Sequence, residues 1–166
     1  MNKGKDNLGD RMKEYESTYR IKLPKRLPVL LRIDGRAFHT YTKGMKKPFD
    51  EGLSNAMWET TKYLCENIQG AKVGYTQSDE ITILVTNYEK LTTESWFDNN
   101  IQKMASVAAS MATAKFNEVI HKVYPDKEFA TFDARAWVLP HNEVNNVFLW
   151  RQQDATKNQR LEIPNE

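Results

Sequence analysis

The chain has 166 residues, 40% of them hydrophobic, with 24 basic and 22 acidic side chains and a formal charge of +2. That length supports one well-buried core and is too short for two, so residues 1–166 read as a single domain, and the mild charge neither demands nor forbids a nucleic-acid partner. The lone cysteine, Cys65, cannot close an internal disulfide, no Cys/His spacing for zinc occurs, and no run approaches the roughly 18 apolar residues of a membrane span. The opening residues also lack the apolar core of a signal peptide, which makes a soluble, cytoplasmic protein the expectation.

In chain order, residues 8–19 read as a polar helix, stopped by the prolines of "KLPKRLP" before a strand at 28–33. Residues 50–68 carry Leu53, Met57, Thr60, Tyr63 and Leu64 at three- and four-residue spacing, a helical stripe. "AKVGYTQ" and "ITILVT" read as two strands joined by a tight turn at "SDE". A long helix over 94–121 contains the small-residue run "ASVAASMATA", which allows close approach to a sheet. Residues 131–138 form a further strand, and Pro140 starts a last helix running to about 158. The order β, α, β, β, α, β predicts a ferredoxin-like α+β fold: four antiparallel strands with two helices on one face and further helices flanking. Trp137, Phe148 and Trp150 read as core residues, and Arg151 with Asp154 as an i, i+3 pair.

The placement of acids narrows the chemistry. Asp34 closes the first strand, and Asp79 and Glu80 sit in the hairpin turn; in this topology the first and third strands are neighbours, so these carboxylates converge at one edge. At about 5 Å and an effective dielectric of about 20 their repulsion is roughly 3 kcal/mol, which a divalent cation would relieve. Magnesium suits this supply of hard oxygens, completing its shell with water and phosphate. Gly35 would let the backbone approach a phosphate chain, with the amides of the segment Gly35, Arg36, Ala37, Phe38 and His39 turned toward a triphosphate.

Four segments, "RIDGRAFH", "KKPFDEGL", "YTQSDEITIL" and "FDARAWVLP…WRQQDA", together resemble the tRNA-His guanylyltransferase family and its Thg1-like relatives, the 3′–5′ nucleotide polymerases, over about residues 6–159. The resemblance implies a polymerase-type palm and Mg²⁺-dependent nucleotidyl transfer to the 5′ end of a tRNA, with GTP and ATP as substrates. It implies that Asp34, Asp79 and the Gly35 carbonyl hold two magnesium ions, with Glu80 beside them as a third catalytic acid. Ser78, His39 and Lys47 would surround the nucleotide triphosphate, and Lys103 would lie near a second triphosphate or the tRNA 5′ end. It also implies a homo-oligomer, a tetramer first of all.

Departures from the family pattern refine this reading. Thr156, Lys157, Asn158 and Gln159 stand where eukaryotic members carry His-Ile-Asn-Asn, which favours the bacterial, archaeal and viral Thg1-like branch and template-directed repair of 5′-truncated tRNA. Asn99 and Asn100 replace a basic pair, Ala134 stands at a common glycine, and the chain is shorter at its C-terminal end than the family pattern. Two alternatives share the residues: a nucleotide cyclase or cyclic-dinucleotide synthase built on the same palm, and a catalytically weak tRNA-binding module.

Overall fold

The computed structural model describes residues 7–47 and 49–162, the last five of these by backbone alone. The side chains of Asn158 and Gln159, part of the family comparison above, therefore lie outside the described residues. The elements are α1 (Leu8–Ser17), β1 (Val29–Gly35), α2 (Phe38–Tyr41), α3 (Glu51–Asn67), β2 (Ala71–Gln77), β3 (Glu80–Val85), α4 (Ile101–Ile120), β4 (Phe132–Val138) and α5 (Val144–Glu162). The strands form one antiparallel sheet in the order β2-β3-β1-β4, which is the α+β arrangement predicted from the element order.

Alternation along β1 divides the molecule. Val29, Leu31 and Ile33 point into a core shared with Ile81, Ile83 and Val85 of β3. That core is covered by α3 through Ala56, Met57 and Leu64, and by α4 through Met104, Ala108, Ala112, Phe116 and Ile120. Ala108 and Ala112 are fully buried, so the small-residue run of α4 does bring its backbone close to the sheet. The other face of β1 presents Leu30, Arg32 and Asp34 toward α5.

Three local features differ from the sequence reading, each for a physical reason. β1 does not stop at residue 33: the Gly35 amide donates to the Asp79 carbonyl at 2.8 Å and the Arg36 amide to the Thr131 carbonyl at 2.8 Å, carrying the ladder past Asp34. The helix expected from residue 94 begins only at Ile101. Phe97, Asp98 and Asn99 before it hold positive φ (49°, 51° and 59°), turning the buried Asn99 side chain onto the carbonyls of Leu23 and Pro24 while Asn100 caps α4. The short α2 was not anticipated; it begins after Ala37 at φ 53° and is held by Phe38 and Tyr41, which stack on each other and meet the Phe116 ring.

The acid-bearing end of the sheet is tied to the C-terminal half of α4 by polar side chains of the helix, Thr113 accepting from the Phe132 amide at 3.2 Å and Asn117 bonding twice. Asn117, 5% exposed, accepts from the Ala130 amide at 2.8 Å and donates to the Ala130 carbonyl at 2.8 Å, setting the entry into β4. Asn117→Ala strands both backbone groups in a water-poor site. The expected loss is about 2–4 kcal/mol, read as a lower urea midpoint at unchanged m-value; an unchanged midpoint would refute this role.

Candidate active site

Register places three carboxylates side by side on adjacent strands: Glu80 of β3 opposite Asp34 of β1, and Asp34 opposite Asp133 of β4. Directly opposed Cα atoms are about 4.5–5.5 Å apart, so such a row requires neutralisation. Arginines on the same face supply most of it. Arg32 Nε lies 3.3 Å and Arg135 Nη2 3.5 Å from Asp34 Oδ2, and Arg135 Nη2 also bonds Asp133 Oδ1 at 3.0 Å. Glu80 is gripped by Arg151 of α5, Nε to Oε2 at 2.9 Å and Nη2 to Oε1 at 2.6 Å, and accepts from Gln77 Nε2 at 2.8 Å.

Asp79 differs from all three. It follows Ser78, at φ 49°, in the two-residue turn between Gln77 and Glu80, and no basic side chain among the described residues comes within ion-pair distance of it. Burial pushes the Asp79 carboxyl up from its ordinary value, and the charges of Asp34 and Glu80 push in the same direction. Its own amide and the Ser78 hydroxyl oppose the shift without cancelling it. The sheet therefore brings Asp34 and Asp79 to one lip and leaves the second of them short of positive charge.

This donor set fits magnesium. The described residues hold no group of three or more His, Cys, Asp or Glu side chains arranged for a metal. What converges is a pair of carboxylates beside an open strand end, the protein share that magnesium takes when water and phosphate supply the remaining oxygens. The raised Asp79 carboxyl is the strain that a divalent cation would relieve.

The surrounding predicted residues divide by location. Arg36, Ala37 and His39 are exposed at the same end as the acids, as are Ser78 in the turn and Lys47 in the loop before α3. Phe38 is different: it is 5% exposed and packs on Tyr41, Phe116 and Phe132, so only its backbone is available to a ligand. Of the five amides expected to face a triphosphate, those of Gly35 and Arg36 are committed to the sheet. The amides of Phe38 and His39 head α2, where no intrahelical partner exists for them. Gly35 is required for a packing reason as well, since a Cβ there would meet the Phe38 ring, its Cγ at 2.8 Å.

Lys103 does not join this site. It lies on the first turn of α4, fourteen residues and about 21 Å of helix before Asn117. There its Nζ sits 4.8 Å from the centre of the Phe97 ring, in an open cleft of about 780 Å³ shared with Arg20, Lys22, Lys25 and Asp98. Asn99 and Asn100, the departures beside it, are spent on the fold as described above. Trp150 is likewise corrected from core to surface: it is 44% exposed, with the Arg32 and Arg151 guanidinium carbons 5.4 and 4.1 Å from its ring centre.

Arg32, Arg135 and Asp133 were not singled out from the sequence. The available signal was their alternation in "LLRIDG" and "FDARAWV", which puts charge on every second residue of two strands. The Arg151–Glu80 pair spans 71 positions of chain, and only the fold reveals it.

A family model described as tRNAHis guanylyltransferase matches residues 9–140. A bacterial tRNA(His) guanylyltransferase (Thg1)-like protein solved in complex with ATP is 68% identical, with a TM-score of 0.92 over 95% of this chain and 69% of its own. A structure under the same description in complex with GTP is 67% identical, with a TM-score of 0.92 over 94% of this chain and 75% of that one. The tRNA(His) guanylyltransferase of Schizosaccharomyces pombe is 29% identical over 87% of this chain and 54% of its own length. The chain spans about half the length of the curated relatives it matches. The paired acids at the sheet's lip thus sit within matched sequence on a matched fold, and the chain belongs to the tRNAHis guanylyltransferase family.

Proposed function

We propose that this chain is a magnesium-dependent nucleotidyltransferase that adds nucleotides to the 5′ end of a tRNA in the 3′–5′ direction. The observation that carries the reading is the meeting of Asp34 and Asp79 at one edge of the sheet, with the Asp79 charge unmatched by any described base. Family membership supports tRNA as the substrate class, and the ATP and GTP complexes of the bacterial relatives support nucleotide triphosphates.

In this reading Asp34, Asp79 and the Gly35 carbonyl would hold magnesium, which would supply charge neutralisation on the triphosphate and activation of the attacking 3′-hydroxyl. Asp34 keeps its geometry through β1 pairing on both sides, so its carboxylate is fixed before any ligand arrives. In this reading the amides heading α2, with His39, Lys47 and Ser78, would serve the phosphates as donors. Arg135, 51% exposed and shared between Asp34 and Asp133, offers a further cation near the reacting phosphates. In this reading the acceleration comes from positioning and electrostatics, because the attacking group is the 3′-hydroxyl of a nucleotide and the side chains at the lip serve as ligands and donors. We place Lys103 outside this centre, and assign the active assembly to a homo-oligomer, a tetramer first, which light scattering will resolve by mass.

Labelled nucleotide is expected to enter a 5′-truncated tRNA in the presence of Mg²⁺, and product analysis without RNA distinguishes a cyclase. Asp34→Ala and Asp79→Ala should each lower incorporation at least about 100-fold while preserving the circular dichroism spectrum. Activity retained in either variant would remove the metal assignment.

The Asp79 shift also makes a stability prediction. A carboxyl whose pKa is raised by folding stabilises the folded state at low pH, and that contribution is lost as pH rises through the raised value. Without magnesium, Asp79→Asn is therefore expected to raise the Tm at pH 7 and to leave it unchanged at pH values below the ordinary carboxylate range. Adding Mg²⁺ should raise the Tm of the parent chain but not of this variant; a lower Tm for Asp79→Asn at pH 7 would show that the charge at the lip is not repulsive.

A further inference from the structure

We propose that Arg151 is a positioning residue that fixes the Ser78–Asp79 turn through Glu80, so that Glu80 is the handle of the site rather than one of its reacting acids. The catalytic consequence rests on the function proposed above; the geometric one does not.

The face that α5 turns to the sheet is a helical stripe of Val144, Val147, Phe148, Arg151, Asp154 and Ala155, at i, i+3, i+4, i+7, i+10 and i+11. Arg151 is buried to 7% exposure near the middle of this stripe, a place where an apolar residue would ordinarily pack. A buried ion pair contributes little net stability, because desolvating two charges offsets their attraction, and an apolar pair of similar volume holds a fold together as well or better. What the pair adds is direction. A planar guanidinium making two parallel bonds to one carboxylate fixes the plane and the rotation of its partner. Here the guanidinium is itself fixed, with Asp154 Oδ2 at 3.0 Å and the Trp150 ring against it.

The held group is the residue next to Asp79. Ser78 occupies the left-handed region with no glycine to ease it, so the turn needs outside restraint to keep its shape. Four restraints meet on it: the Gly35 amide on the Asp79 carbonyl, the Thr76 hydroxyl on the Glu80 carbonyl, the Gln77 side chain on Glu80 Oε1, and the Arg151 fork on both Glu80 oxygens. Gln77 and Gly35 lie in the sheet that carries the turn, whereas Arg151 reaches it from α5. Both oxygens of Glu80 are engaged in this arrangement, Oε1 by Gln77 and Arg151 and Oε2 by Arg151, whereas Asp79 meets no base among the described residues.

The test uses the full chain carrying Arg151→Met with Glu80→Met, and separately Arg151→Lys. The apolar pair is expected to unfold at or above the parent Tm, while the Gly35 amide, which reports on the Asp79 carbonyl, exchanges with deuterium at least about tenfold faster. Its kcat for nucleotide incorporation should fall about 10- to 100-fold with KM for the triphosphate little changed, the range for residues that orient a metal-binding group. Arg151→Lys keeps the charge and loses the fork, so it should shift exchange and kcat in the same direction by less. A folded apolar pair with parental exchange and kcat overturns the proposal; if that pair fails to fold, parental values for Arg151→Lys do so. Should the parent chain incorporate no nucleotide, the proposed function falls, and Gly35 exchange still decides whether Arg151 holds the turn.

Discussion

Like charges packed side by side on neighbouring strands are the constraint around which this molecule is arranged. Glu80, Asp34 and Asp133 occupy directly opposed positions on β3, β1 and β4, with Asp79 one residue further on. Such a row persists in a folded protein only when each charge is met by a cation or by something bound. Arg151 meets Glu80, Arg32 meets Asp34, and Arg135 bridges Asp34 and Asp133. Asp79 is left with the Ser78 hydroxyl and backbone, and its raised carboxyl records the deficit. The electrostatic deficit, rather than the mere presence of acids, is what supports the proposal of a cation at this lip.

The two-residue period of β1 lets one strand serve both packing and chemistry. Val29, Leu31 and Ile33 are buried against α3 and α4, and the alternate residues end in Asp34 on the face toward α5. Because the ladder continues through Gly35 and Arg36, Asp34 is restrained from both sides instead of hanging from a loose strand end. The aromatic cluster of Phe38, Tyr41, Phe116 and Phe132 then fastens the segment after it to α4 and β4. Packing below the lip is thus what holds the acids and the α2 amides in a common frame.

The two ends of the sheet have separate characters. The acids, α2 and the loop carrying Lys47 gather at one end, while Lys103 and its basic neighbours gather at the other, where Asp98 is paired with both Lys22 and Lys25. A basic residue that aligns with a functional position in linear order need not share that function within one protomer, since helix length alone can carry it across the molecule.

Much of the fold was legible in the residues themselves. Apolar alternation and the helical stripes of α3 and α4 are local consequences of side-chain spacing, and they specified the element order and hence the neighbouring of β1 and β3. The convergence of Asp34 and Asp79 followed from that order, because strand adjacency is enough to bring a strand end to a hairpin turn. Other features depended on contacts distant in the chain. The burial of the Phe38 ring, the exposure of Trp150, the separation of Lys103 from the acids and the capture of Glu80 by Arg151 are decided by which elements pack together. A sequence pattern records what a side chain could do; how buried it becomes, and which charge stands beside it, is set only when segments far apart in the chain meet.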